Sequence, residues 1–294
     1  MPFIPVGEEN SGTIHLYYED HGRGRPVVLI HGWPLSGASW ERQVTALLAA
    51  GHRVITYDRR GFGSSSKPAS GYDYDTLAAD LRKLMVKLEL RDVTLVGFSM
   101  GGGEVARYLG AHGSERVSKA VFMAAIPPFL LKTPDNPAGI DGALFEGIKQ
   151  GIAADRPAFL SQFLSNFYNI DVLGAGGTKL ISDEAVRLSW NIAAGASPTG
   201  TLECVQAWLT DFRTDLARID VPTLVVHGDT DRILPLAVTG QRIHELIKGS
   251  RLVVVKDGPH GLNWTHSAQV NRELLAFLAE EGAATRKPGA RQFQ

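Results

Sequence analysis

The chain has 294 residues, 44% of them hydrophobic, with 30 Lys and Arg against 31 Asp and Glu for a formal charge of -1. That apolar content is enough for one large domain or two small ones, and the balanced charge gives no electrostatic footprint for nucleic acid or an anionic membrane. A single cysteine, Cys204, excludes an internal disulfide and a cysteine-based zinc site, and fits a reducing, cytoplasmic setting.

In chain order, the opening MPFIPVGEEN lacks a basic segment followed by an apolar one, so no signal peptide is expected. GRGRPV at 22–27 lacks the third glycine of a dinucleotide-binding loop and reads as a turn. Six runs follow: PVVLIHG (26–32), RVITYD (53–58), VTLVGFS (93–99), KAVFMAA (119–125), TLVVHGD (223–229) and RLVVVKDG (251–258). Each is short, rich in Val, Ile and Leu, and apolar on both faces, as a parallel strand covered from both sides must be. Helical patterns lie between them, such as 74–88, with apolar residues at 77, 81, 84, 85 and 88, and 269–278. The alternation predicts an α/β fold with a mostly parallel, doubly wound sheet flanked by helices. Residues 127–218 break the rhythm with helical segments and aromatics but no clear strand. They read as a helical cap inserted in a core of 1–126 and 219–280 and covering one edge of the sheet. The polar tail 281–294 is expected to fray. The longest apolar stretch, 120–131, is too short to span a bilayer and contains Pro127-Pro128. The expectation is a soluble protein with no membrane or nucleic-acid partner, compatible with a homo-oligomer.

In an open parallel sheet, chemistry gathers beyond the carboxyl ends of the strands. Gly97-Phe98-Ser99-Met100-Gly101 after the third run is a G-x-S-x-G arrangement, in which a sharp strand-to-helix turn lifts a serine oxygen into the open. Its glycines stand where side chains would collide with backbone. Ser99 is the candidate nucleophile. Asp229-Thr230-Asp231 after the fifth run offers two carboxylates, either of which could orient a base. Asp257-Gly258-Pro259-His260 places His260 at a loop tip, completing the order Ser, acid, His used by this architecture. His227 belongs to its strand and His266 to a predicted helix, so both read as structural. His31-Gly32-Trp33-Pro34 follows the first run. A tetrahedral intermediate needs two donors for its oxyanion, and the backbone N–H groups of Trp33 and Met100 are the candidates, with His31 organising the loop. There is no H-E-x-x-H, His244-Glu245 lacks its second histidine, and GAGGTK at 174–179 misses the phosphate-loop spacing. No metal or organic cofactor is expected.

HGWP (31–34), GFSMGGGE (97–104) and GPHG (258–261), with YDRRGFGSS (57–65), AWLTDFRTDL (207–216) and VPTLVVHGDTDRILP (221–235), resemble the α/β-hydrolases. Within them the chain resembles the bacterial cofactor-free haloperoxidases, also called perhydrolases or aryl esterases, over 13–278. The resemblance implies the α/β-hydrolase fold. Its G-x-x-D spacing picks Asp231 over Asp229, and it gives Asp58 and Arg59 a role in loop structure. Branches with an aspartate nucleophile, the epoxide hydrolases and haloalkane dehalogenases, are opposed by Ser99. The implied activity is cleavage of small aryl or short-acyl esters through an acyl-serine, with water or hydrogen peroxide removing the acyl group. With peroxide the product is a peracid, which can oxidise halide. Phe159, Phe163 and Phe167 recur at four-residue spacing, on one helix face. Either they are plain core, or they join Phe98, Trp208 and Ile233 in an apolar substrate pocket. Pro34 restricts the Trp33 carbonyl and either turns it toward a bound hydroperoxide or stiffens the loop. Amide or lactam hydrolysis by the same residues, and a non-catalytic small-molecule receptor on this scaffold, are the alternative readings.

Overall fold

A strand that is apolar on both faces has no side to give to water, and that requirement dictates the layering of this molecule. The computed structural model describes residues 2–174 and 177–280; the tail expected to fray at 281–294 lies outside them. The strands are β1 (Phe3–Glu9), β2 (Gly12–Gly22), β3 (Pro26–Ile30), β4 (Arg53–Tyr57), β5 (Val93–Phe98), β6 (Val117–Met123), β7 (Thr223–Gly228) and β8 (Arg251–Val255). They form one eight-stranded sheet in the order β1-β2-β4-β3-β5-β6-β7-β8. From β4 to β8 all neighbours are parallel, and β2 joins both β1 and β4 antiparallel. Central strands β3, β5 and β7 are almost wholly buried along their lengths.

Helices α1 (Glu41–Ala49), α2 (Tyr74–Lys87) and α3 (Met100–His112) connect the first parallel strands. The sequence between β6 and β7 forms α4 (Gly142–Tyr168), α5 (Asp183–Ala194), α6 (Pro198–Ala207) and α7 (Arg213–Leu216), and α8 (Gly240–Leu246), α9 (Leu262–Thr265) and α10 (Ser267–Ala279) complete the chain. Packing of α1 on β4 and α10 covers one face of the sheet, and α2 and α3 cover the other. The α10 carboxyl end is held by the buried Lys119, whose ammonium donates to Phe277 O (2.6 Å), Leu278 O (3.1 Å) and Glu280 O (2.6 Å). No helix among the described residues is long and apolar enough to cross a membrane.

Three expectations need correction. β1 and β2 are strands beyond the six apolar runs, and they alternate: Ile4, Val6, Ile14 and Leu16 are buried between polar or exposed neighbours. The helical insert does not cover a sheet edge. Its α4 and α6 lie over the loops that follow β3 and β5, with Phe163 and Trp208 against Trp33 and Phe167 against Phe98. His266 sits at the junction of α9 and α10, not inside a helix.

Within α4 the backbone breaks at Asp155 (φ -156°, ψ 88°). The Asp155 carboxylate accepts from Ala158 N at 3.0 Å and so caps the second half, where Pro157 sits in the first turn and removes no helical hydrogen bond. Two of the helical glycines have opposite surroundings. A Cβ on Gly102 would stand 2.3 Å from Ala125 Cβ, whereas one on Gly147 would meet nothing within 4 Å. Gly147→Ala is therefore expected to raise the unfolding free energy by about 0.5–1 kcal/mol. Gly102→Ala is expected to lower it by about 1–3 kcal/mol through overpacking. Urea titration of both variants checks the opposite signs.

Candidate active site

β5 runs into α3 through one residue, Ser99, at φ 55° and ψ -118°. That is a sparsely populated backbone state costing on the order of 1–3 kcal/mol, and it persists only where packing enforces it. Here the packing is glycine against backbone. A Cβ on Gly97 would lie 2.5 Å from Gly101 O, and one on Gly101 would lie 2.3 Å from Ile30 O. The turn directs the Ser99 hydroxyl to the carboxyl end of the sheet, at the amino end of α3.

Two later loops meet it there. His260 Nε2 lies 2.9 Å from Ser99 Oγ, and His260 Nδ1 lies 2.7 Å from Asp231 Oδ2. Asp231 Oδ1 accepts from the backbone N–H groups of Ile233 (2.9 Å) and Leu234 (2.8 Å). Burial pushes the Asp231 carboxyl up, but attraction to His260 and the donors around it prevail and hold it well below the usual carboxylate range. Asp229 is exposed and makes no contact with His260. The His260 ring is packed between Phe98 (centroids 5.2 Å) and Phe167 (4.9 Å). The end of α4 grips both loops: Gly261 N donates to Phe167 O at 2.8 Å, and Asn169 Nδ2 donates to Thr230 O at 2.9 Å.

The loop after β3 closes the other side. A Cβ on Gly32 would come within 3.0 Å of Ser99 Cβ, so the loop runs in contact with the serine. His31 Nε2 accepts from Arg59 N (3.0 Å) while Nδ1 donates to Gly32 O (2.8 Å), which fixes its tautomer. The Arg59 guanidinium donates to His31 O at 2.7 Å and pairs with Glu104 on α3, to which Tyr57 also donates. Asp58 accepts from Gly37 N and Ser64 N. Trp33 Nε1 donates to Thr201 O at 3.1 Å. The backbone N–H groups of Trp33 and Met100 donate to no group among the described residues.

Ser99 opens into a cavity of about 220 Å³. Phe163, Trp208 and Ile233, the pocket candidates of the sequence reading, line it together with Trp33, and Ser99 lies at its wall. Phe98, Phe167 and Pro34, the other pocket candidates, are not among its lining residues. The two phenyl rings are spent on His260, and Pro34, joined to Trp33 by a cis peptide, is buried. The phenylalanine stripe thus divides, with Phe159 and Phe163 on the cavity and Phe167 beneath it. The sequence reading missed Ile126, Leu130, Ile140 and Phe145, which come from the stretch entering the cap, and the polar Gln162, Asn166 and Arg232. Gln162 and Asn166 follow the same four-residue spacing as the phenylalanines, a signal that was available. Glu104 was legible only as an acidic residue on an otherwise buried helix. No three His, Cys, Asp or Glu side chains among the described residues converge as a metal-binding set.

Residues 25–267 match the model of the alpha/beta hydrolase fold family. A Synechocystis sp. protein assigned as a non-heme chloroperoxidase is 63% identical over 278 residues, covering 95% of this chain and 100% of the relative. A bifunctional esterase/perhydrolase from Acinetobacter calcoaceticus is 33% identical over 90% of this chain and 96% of its own. The crystal structure of a bromoperoxidase from Bacillus anthracis superposes with a TM-score of 0.89 at 51% identity, covering 95% of this chain and 99% of that one. The chain belongs to the α/β-hydrolase fold family, in its non-heme haloperoxidase and perhydrolase subgroup.

Burial, reinforced by the positive Arg59, holds the His31 imidazole well below its ordinary value. The unfolded chain takes up a proton there below about pH 6.5 that the folded chain refuses. The contribution of His31 to stability is therefore complete above that pH and is lost progressively as pH falls toward the folded value, by about 1.4 kcal/mol per unit. Urea unfolding between about pH 7 and pH 5 is expected to show this slope, and His31→Gln to flatten it whatever its stability at pH 7. A slope unchanged by the substitution would assign the effect to another group.

Proposed function

We propose that this hydrolase is a serine esterase for small esters with an apolar acyl group, working through an acyl-serine that water or hydrogen peroxide resolves. The observation that carries the reading is the unbroken chain of contacts from Asp231 through His260 to Ser99, ending at the wall of an apolar cavity. Asp231 fixes the His260 tautomer with a proton on Nδ1, leaving Nε2 to take the Ser99 proton as Oγ attacks the ester carbonyl. The oxyanion forms between the N–H groups of Trp33 and Met100, the second reinforced by the amino end of α3. Collapse expels the alcohol, which receives the proton from His260.

Water or hydrogen peroxide then loses a proton to His260 and attacks the acyl carbon. The bond between the acyl carbon and Ser99 Oγ breaks, and His260 returns the proton to Oγ. With water the product is a carboxylic acid. With peroxide it is a peracid, whose O–O bond is broken when halide is oxidised to hypohalous acid and the carboxylic acid is regenerated. The names of the relatives, which pair esterase with perhydrolase and peroxidase, support this split outcome. Every step uses groups of this chain and its two substrates, so the reading calls on no cofactor. Cys204 is no rival nucleophile: it is buried, and burial pushes its thiol up to about 12. The reading fits a soluble cytoplasmic enzyme.

Ser99→Ala and His260→Ala are each expected to lower aryl-ester turnover on the order of 10⁴-fold or more with unfolding curves preserved, and Asp231→Asn to be far more damaging than Asp229→Asn. Equal or reversed damage at the two aspartates would overturn the acid assignment. A cavity of about 220 Å³ should favour short acyl chains. Phenyl acetate is expected to be turned over faster than phenyl octanoate, with Phe163→Ala narrowing the difference. Long-chain activity equal to acetate in the native enzyme would remove the size argument.

A further inference from the structure

His227 reads from sequence as an ordinary strand residue, yet it lies against the acid. Its ring is fully buried at the end of β7, with Nε2 2.8 Å from Leu234 O and 3.3 Å from Asp231 Oδ2. A carbonyl only accepts, so Nε2 carries the proton and donates it to Leu234 O, with the Asp231 carboxylate beside it. Nδ1 has no hydrogen-bond partner among the described residues. α8 packs tightly against it: a Cβ on Gly240 would stand 2.6 Å from His227 Nδ1.

A buried nitrogen left unpaired is unfavourable, and an apolar ring of the same shape would fill the site without it. What an apolar ring would lack is the Nε2–H. We infer that His227 is a positioning residue for the triad: held by its Nε2–H on Leu234 O, it braces Asp231 Oδ2 and keeps the carboxylate turned to His260. Asp231 then has four polar neighbours, the Ile233 and Leu234 amides hydrogen-bonded to Oδ1, His260 hydrogen-bonded to Oδ2, and His227 Nε2 beside Oδ2. With all four in place the carboxylate cannot swing away from His260 without abandoning a buried hydrogen bond. The bare Nδ1 is the structural cost of that brace.

The inference rests on the acyl-serine reading, and its test separates the two. Native enzyme, Ser99→Ala, His227→Phe, His227→Gln, Asp231→Asn and the double variant His227→Phe/Asp231→Asn are compared on phenyl acetate. Loss of native turnover, or turnover that survives Ser99→Ala, strikes the acyl-serine reading itself. With those controls in order, His227→Phe, which keeps the ring's shape and loses the donor, is expected to lower kcat about ten- to a hundredfold with KM within about twofold. His227→Gln, which places an amide N–H where Nε2–H stood, is expected to recover most of the loss. In the Asp231→Asn background, His227→Phe should cost nothing further, because residues that act through one another are not additive. Full kcat in His227→Phe, or a loss that multiplies in the double variant, would overturn the inference. Should the Phe variant not fold, His227→Leu takes its place in the same cycle.

Discussion

The close approach of the amino end of α3 to β3 and β5 is the constraint on which the rest of the site depends. Gly97, Gly101 and Gly102 have no room for a Cβ, and only because they lack one can the chain turn within a single residue at Ser99. The turn places three things together: the hydroxyl, the unpaired N–H of Met100, and the positive end of a 13-residue helix. The strain at Ser99 is held by contacts elsewhere. Tyr74 donates to Met100 O at 3.0 Å, Ser99 N donates to Met123 O at 2.9 Å, and the Arg59–Glu104 pair bolts α3 to the oxyanion loop through His31 O. A buried ion pair contributes little net stability compared with an apolar replacement, but removing one partner is costly. In this position it fixes the relative placement of two loops, which an apolar contact would leave free to slide.

The cap does more than line the cavity. Its α4 ends on Phe167, Tyr168 and Asn169, and these hold the His260 loop by a backbone hydrogen bond and the Asp231 loop by a side-chain amide. Asn169 does this from a left-handed conformation (φ 49°, ψ 51°), which asparagine tolerates better than most residues. The acid and the base, 29 positions apart in the chain, are thus held by one helix end. Cavity wall and triad support are consequently two ends of the same element, with Phe163 on one and Phe167 on the other.

Much of this was legible in the sequence because its signals are local. A serine between glycines after an apolar run and a histidine behind Gly-Pro each specify a backbone turn, and a turn fixes where a side chain emerges, whereas the choice of Asp231 over Asp229 came from the family resemblance. What could not be read depends on contacts between segments far apart. Phe98 and Phe167 look like pocket residues by type and spacing, and only the crossing of α4 over β5 shows that they flank His260. Ile126, Leu130 and Ile140 carry no pattern that distinguishes a cavity wall from a core. His227 does lie in its strand, buried as the sequence reading has it, but nothing in the run TLVVHGD reveals that the loop four residues on folds back against it. β1 and β2 have one face toward solvent and alternate, so they carry no continuous apolar run to mark them.

The electrostatic arrangement around Ser99 completes the argument. Glu104 is paired with Arg59 and Tyr57, and Asp231 is surrounded by donors, so each buried carboxylate is neutralised where it stands. At the nucleophile the balance is the reverse. The N–H groups of Trp33 and Met100 have no acceptor among the described residues, and neither has the indole N–H of Trp208, whose ring lines the cavity. Unsatisfied donors in an apolar enclosure are unfavourable in the resting state and become favourable when negative charge develops beside them. A fold that compensates these buried anions locally and leaves donors open around the serine suits the proposed oxyanion, with little reorganisation left for the moment of reaction.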